Sequence, residues 1–93
     1  METVTPEEKL EGMLVSPNPS DGLFSVSCSA KKGERISLLV LNMSGVVVLK
    51  QDFMADDDVM HHVFSIKNQP NGPYIINLRT GSTNYNQRIV KIE

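Results

Sequence analysis

Two adjacent histidines, His61 and His62, are the first residues of this sequence to consider for chemistry, since imidazole binds metal ions and transfers protons. They lie in a run typical of a β-strand, in which neighbouring side chains point to opposite faces. Two such neighbours cannot easily bind the same ion. The pair therefore indicates ordinary strand residues, and we expect neither a metal nor any other cofactor.

Three consecutive aspartates, Asp56 to Asp58, could attract a calcium ion. The run lacks the alternating ligands, the glycine and the terminal glutamate of a calcium-binding loop, so we interpret it as a solvated acidic loop. For catalysis, the sequence contains neither a Gly-x-Ser-x-Gly nucleophile elbow nor a glycine-rich phosphate loop. We predict that the protein is not an enzyme.

The composition argues against several kinds of partner. The chain has 93 residues and a net charge of −2, which gives no electrostatic footprint for a phosphate backbone, so we expect no nucleic acid partner. No apolar run approaches the roughly 18 residues that a membrane span needs, so we expect no membrane insertion. Cys28 is the only cysteine, and we expect a buried thiol instead of a disulfide.

Short strands separated by turns must position the histidines, the aspartates and Cys28. From residue 12 onward the apolar residues recur with a period of two, and glycines and prolines punctuate the runs. The seven strand candidates are approximately 12–16, 22–29, 34–42, 46–53, 59–66, 73–80 and 86–92. This spacing predicts an all-β, immunoglobulin-like antiparallel sandwich over residues 12–93. Residues 1–11 are interpreted as a linker, or at most one short helical turn.

The alternation also predicts which residues face the core. The expected inward residues are Phe24, Val26, Cys28, Ile36, Leu38, Val40, Phe64, Ile66, Tyr74, Ile76 and Leu78. The run from Leu38 to Leu41 is apolar on both faces. It indicates either a central strand or a strand whose outer face contacts another surface.

Two proline-containing segments are predicted to be turns. In residues 16–22, Ser-Pro-Asn-Pro-Ser-Asp-Gly, the prolines hold the residues before them extended and Gly22 can take a positive φ. In residues 71–74, Asn-Gly-Pro-Tyr, Gly72 can form a bend, and the hydroxyl of Tyr74 can reach a backbone group as in a tyrosine corner.

The order and spacing of these segments resemble the C-terminal sorting domain of cargo proteins exported by the bacterial type IX secretion system. The matching stretches are Val15 to Gly22, Asn42 to Val48, Phe64 to Tyr74 and Arg88 to Ile92. The sequence departs from the family pattern at Ser16, Gln69 and Pro73, and Pro73 fits best at the start or edge of a strand because it has no N–H. The recognition candidates within the matching stretches are Pro17, Asn18, Pro19, Gly22, Gly45, Gly72, Tyr74, Arg88 and Lys91.

The resemblance implies a secretion address for a cargo that lies N-terminal to this chain. The folded domain would be recognised by outer-membrane secretion machinery after passing through the periplasm. A sortase-like peptidase would then remove it near the linker and attach the cargo to the cell surface. We expect the machinery to recognise the closing strand, with Arg88 and Lys91, because a terminal strand can offer both its side chains and unpaired backbone groups to a partner; ordinary edge pairing with exposed charges is the alternative.

The competing hypothesis is an accessory binding or spacer module of a secreted protein, for example one that binds glycans. Carbohydrate sites usually present aromatic platforms. The chain has no Trp, two Tyr and three Phe, several of which fall at inward positions, so the sorting domain is the favoured interpretation.

Overall fold

The computed structural model describes residues 12–81 and 83–92. Strands form where apolar residues occupy every second position, because all of them can then enter the core from one face of an extended chain. The seven strands are β1 (Leu14–Ser16), β2 (Leu23–Ser29), β3 (Arg35–Asn42), β4 (Val47–Met54), β5 (Val59–Ser65), β6 (Gly72–Arg79) and β7 (Asn84–Lys91). Their number and positions confirm the strands predicted from the sequence.

The strands form two antiparallel sheets, one in the order β1-β2-β5 and the other in the order β4-β3-β6-β7. Three hairpins stay within a sheet, and the other three connections cross between the sheets. The predicted immunoglobulin-like sandwich is confirmed. Within the described residues, no helix has the length and apolarity needed to cross a bilayer.

The core lies between the two sheets, and every residue predicted to face inward is buried. The rings of Phe24 and Phe64, on the neighbouring strands β2 and β5, stack with centroids 5.4 Å apart. Cys28 is fully buried, and this burial raises the pKa of its thiol, so the buried thiol predicted for this position is confirmed. Leu39 and Leu41 lie on the central strand β3, which pairs with both β4 and β6.

The antiparallel topology gathers the connections at two ends of the sandwich, because strands joined by a short turn run in opposite directions. One end holds residues 17–22, 43–46 and 66–71 together with the last residues of β7. We call it the motif end, since all the stretches that carry the resemblance reach it. The opposite end holds residues 30–34 and 55–58 and the β6–β7 turn.

The linker predicted for residues 1–11, and any helical turn there, lie outside the described residues. The boundary proposed at residue 12 stays a prediction. The first strand begins at Leu14, close to that boundary.

Candidate functional site

The Pro-Asn-Pro-Ser loop lies along the free edge of β7, the last strand of the four-stranded sheet. The side chain of Asn18 takes the place of a neighbouring strand: its Nδ2 donates to the carbonyl of Arg88 (3.2 Å), and its Oδ1 accepts from the N–H of Val90 (3.0 Å). Ser20 continues the pairing with its backbone, which bonds the carbonyl of Val90 (3.1 Å) and the N–H of Ile92 (2.7 Å). These contacts satisfy the edge of β7 from Arg88 to Ile92 within the domain.

Ser20 and Gly22 direct the chain from this loop into β2. Ser20 is buried, and its Oγ donates to the carbonyl of Leu23 (2.6 Å) and accepts from the N–H of Gly22 (3.1 Å). Gly22 has a φ of +118°, which confirms the positive φ predicted for it. A Cβ at this position would lie 2.9 Å from the Cα of Lys67. Both the backbone conformation and the close approach therefore require glycine. Pro17 and Pro19 both follow cis peptide bonds.

The second proline-containing segment is fixed by Tyr74. Its ring is buried in the core, and its hydroxyl donates to the carbonyl of Pro70, four residues upstream, at 2.6 Å. This geometry confirms the tyrosine corner. Gly72 has a φ of +142° and opens β6. Pro73 is the second residue of β6, where only β7 lies alongside because pairing with β3 begins at Tyr74, so its missing N–H is tolerated.

Arg88 and Lys91 lie on opposite faces of β7. Arg88 is exposed on the outer face, whereas Lys91 is only 6% exposed and its Nζ donates to Oδ1 of Asn71 at 2.8 Å. The expectation of unpaired backbone groups at this end of β7 is wrong, and so is the exposed charge that the edge-pairing alternative expected at Lys91. Asn71 satisfies the ammonium group, and the Pro-Asn-Pro-Ser loop satisfies the backbone.

Gly45 lies at the same end of the sandwich, in the turn between β3 and β4. Its φ is +87°. The turn is closed by the side chain of Asn42, whose Oδ1 accepts from the N–H groups of Ser44 (2.9 Å) and Val46 (3.0 Å). Gly45 is thus on the β4 side of the sheet, while the other recognition candidates lie on or beside the β6–β7 hairpin and the loop that covers it.

The histidines point to opposite faces of β5, as predicted. Nδ1 of His61 is 2.8 Å from the Ser27 hydroxyl, and Nε2 of His62 is 2.7 Å from Oε1 of Gln51. The ring of His62 stacks on Phe53 with centroids 4.1 Å apart, and its partial burial lowers its pKa. Among the described residues, no three His, Cys, Asp or Glu side chains come together to hold a metal ion.

Sequence reasoning missed the roles of Ser20 and Asn71. Each works through a contact with β7, which lies 20 residues from Asn71 and about 70 from Ser20 in the sequence. No local pattern reveals such a contact. A usable signal was the inward register of Lys91, which is separated by two from the apolar Ile89 and therefore shares its face.

A comparison with protein families identifies a family that the chain matches. The model of a family described as "Secretion system C-terminal sorting domain" matches residues 14–93, which is most of the chain. The match begins at the first strand and includes the whole motif end. No curated protein matches the chain.

Proposed function

The chain belongs to the secretion system C-terminal sorting domain family, and on that premise we propose how it acts. Such a domain is the sorting signal for type IX secretion: it interacts with the machinery of that system, and the protein that carries it is secreted or placed on the cell surface. We propose that the machinery recognises the motif end of the folded sandwich.

The steps around recognition are also part of the proposal. The cargo precedes this domain in the chain and passes through the periplasm before the domain is recognised. A sortase-like peptidase then cuts near residues 1–11, and the domain is the substrate of that enzyme, with no catalytic role of its own.

The observation that carries the proposal is a set of hydrogen bonds that fixes the segments of the motif end relative to one another. Asn18 and Ser20 hold the edge of β7, Asn71 holds Lys91, and Tyr74 holds the turn that contains Asn71. A partner that binds this end meets a surface already fixed in shape, so binding does not have to order a flexible peptide.

An accessory glycan-binding module is less well supported. Such a module needs aromatic rings on its surface, but Phe24, Phe64 and Tyr74 are buried, and Phe53 stacks on a histidine. Tyr85 is partly buried against the core. The described residues therefore offer no exposed aromatic platform.

The test is a fusion to a periplasm-targeted reporter in a bacterium that possesses the type IX system. With this domain at its C-terminus, the reporter should reach the cell surface or the medium and lose the domain by cleavage. The same domain at the N-terminus should fail. Retention of the C-terminal fusion in the periplasm, when a known sorting domain exports the same reporter, would make the accessory module the better interpretation.

Deleting residues 90–93 probes the motif end directly. The deletion removes the partners of the Ser20 backbone and one partner of the Asn18 side chain. If the shortened domain still melts cooperatively but is no longer exported, recognition depends on this end of the molecule. Export that survives with the fold would exclude the last residues from the recognised surface.

A further inference from the structure

The face of the four-stranded sheet that points away from the core has an unusual composition for a solvated surface. Alternating residues of β3, β4, β6 and β7 form it, and we call it the outer face. At its centre Leu39, Leu41 and Ile75 are only half-buried, beside the exposed Val47 and Met43. Leu39, Leu41, Met43 and Ile75 line a depression of about 450 Å³ together with polar residues, among them Asn77 and Arg79. A depression that combines apolar side chains with a few polar groups is typical of an interaction site.

Cations surround this apolar centre. Arg35, Lys50, Arg79 and Arg88 all lie on the outer face and are exposed, whereas its single anion is Asp52. Asp52 accepts a hydrogen bond from the hydroxyl of Ser37 at 2.6 Å. None of the four cations forms an ion pair with another described residue. This basic face belongs to a chain whose net charge is −2, so the positive charge is concentrated here.

The polar groups beside the cations also favour an acidic partner. Nδ2 of Asn77 donates to Oδ1 of Asn84 (2.6 Å) and to Oδ1 of Asn86 (2.9 Å). Asn84 and Asn86 each also carry an amide NH₂ group, which supplies two N–H donors. The outer face thus combines an apolar centre with cations and hydrogen-bond donors, and its natural complement is a surface rich in carboxylates.

We propose that the outer face binds an acidic protein surface of the secretion machinery, one in which carboxylates surround an apolar side chain that enters the depression. This inference rests on the proposed function and adds a second contact to the motif end. A second copy of the domain is disfavoured, because two basic faces repel each other. A lipid surface is disfavoured because the half-buried Leu39, Leu41 and Ile75 line a depression, whereas membrane-binding proteins insert protruding apolar groups.

The dimensions of the face suit a short-lived complex. Eight-residue strands are about 26 Å long, and four strands at a spacing of about 4.8 Å give an area of roughly 500 Å². That is less than the roughly 800 Å² per partner of a standard stable interface. A sorting domain that must be released after export needs a complex of this weaker kind.

The experiment compares two charge reversals of equal size in the reporter fusion. The face variant combines Lys50→Glu with Arg79→Glu, residues that lie outside the four stretches that carry the sequence resemblance. The control variant combines Lys31→Glu with Lys32→Glu, exposed residues at the end opposite the motif end. A third variant, Ile75→Thr, reduces the apolar centre while keeping a β-branched residue in the strand. Thermal melts of the isolated domains establish that each variant folds.

The face variant should reduce export by about tenfold or more with its fold retained, because two charge contacts are reversed. Ile75→Thr should reduce export less, and the control should export like the unaltered fusion. Equal export by the face variant would overturn this proposal and leave the sorting function standing. Equal loss in both charge variants would overturn it too, by tracing the effect to net charge. Failure of the unaltered fusion would overturn the sorting function and this inference together.

Two measurements on the isolated domain address other occupants. Sedimentation velocity should show a monomer, and a dimer abolished by the face variant would assign the face to a second copy. Co-sedimentation with vesicles of phosphatidylglycerol and phosphatidylcholine should show little binding. Strong binding that the face variant removes and the control retains would assign the face to anionic lipid and overturn the proposal of a protein partner.

Discussion

The two turns at residues 17–22 and 70–74 are built from the same residue types but are held in different ways. Each begins with Pro-Asn, and each contains a glycine with a positive φ. In the first turn the asparagine is exposed and hydrogen-bonds the edge of β7. In the second turn a buried tyrosine fixes the chain from inside the core.

The difference shows that turns of similar sequence can stabilise a fold through different interactions. The second turn depends on burial of a large side chain, which is worth several kcal/mol. The first depends on hydrogen bonds near solvent, each worth about 1 kcal/mol net. It also depends on Gly22, which lies close to Lys67 in the loop after β5. We therefore expect substitutions in the two turns to lower the free energy of unfolding by different amounts and for different reasons.

The largest effect is expected for Tyr74→Ala, which empties core volume and leaves the Pro70 carbonyl without its partner. The free energy of unfolding should fall by about 3–5 kcal/mol, as measured by urea denaturation. Tyr74→Phe is the matched control. It keeps the ring and should lose only about 1 kcal/mol. Equal losses in the two variants would show that the hydroxyl, not the ring, holds this turn.

The second-largest effects are expected for substitutions of the two glycines, and they should differ between the turns. Gly22→Ala should lower the free energy of unfolding by about 3 kcal/mol, since it adds a contact 2.9 Å from backbone to the strain of a φ of +118°. Gly72→Ala has the strain of a φ of +142° but meets no atom within 4 Å, so about 1–2 kcal/mol is expected. Thermal melts can rank the two. A larger loss at Gly72 would mean that crowding by Lys67 is not what selects Gly22.

A smaller effect is expected for Asn18→Ala. It removes both side-chain bonds to the edge of β7, and since they are exposed the loss should be about 1 kcal/mol. Amide hydrogen exchange should quicken at Val90, whose N–H loses its acceptor. Asn68→Ala, an exposed asparagine at the same end with no side-chain bond to the described residues, should leave both unchanged. Unchanged exchange at Val90 in Asn18→Ala would refute the strand-like role of this side chain.

The smallest effect concerns Asp21, beside Gly22. The N–H of Leu23, 3.3 Å from Oδ1, lowers the pKa of Asp21 in the folded domain, and Lys67 lowers it further. A carboxyl with a lowered folded pKa stabilises the fold above its unfolded pKa near 3.8 and loses that contribution as the pH falls through its folded pKa. Melts between pH 2 and 6 should therefore be less pH-dependent for Asp21→Asn. Identical pH profiles for the unaltered domain and the variant would show that Asp21 does not contribute to the loss of stability in acid.

Much of the fold could be predicted because it follows from local rules. The period of two placed Phe24, Leu38 and Ile76 in the core, and glycine chemistry placed a positive φ at Gly22. These rules act between close neighbours in the sequence, so the sequence shows them directly.

The motif end was predicted less completely, because its contacts join distant segments. Lysine is almost never buried unless paired, so composition favoured an exposed Lys91, and only the position of Asn71 explains its burial. The expectation of unpaired backbone groups on β7 follows from its place as the terminal strand. The side chain of Asn18 and the backbone of Ser20 form the hydrogen bonds that a neighbouring strand would form. The alternation of apolar residues that predicts strands does not predict such bonds.

The hydrogen bonds between Asn18 and β7 also have a consequence for the order of folding. They join positions 70 and 72 residues apart, so during synthesis the first turn is made long before its partners at Arg88 and Val90. Contacts of such sequence separation form late and slow the search for the native state. Until β7 is in place, the side chain of Asn18 and the backbone of Ser20 lack these partners. The motif end is therefore complete only after translation has continued at least to residue 92, so under the proposed recognition the machinery would select chains in which β7 has been made.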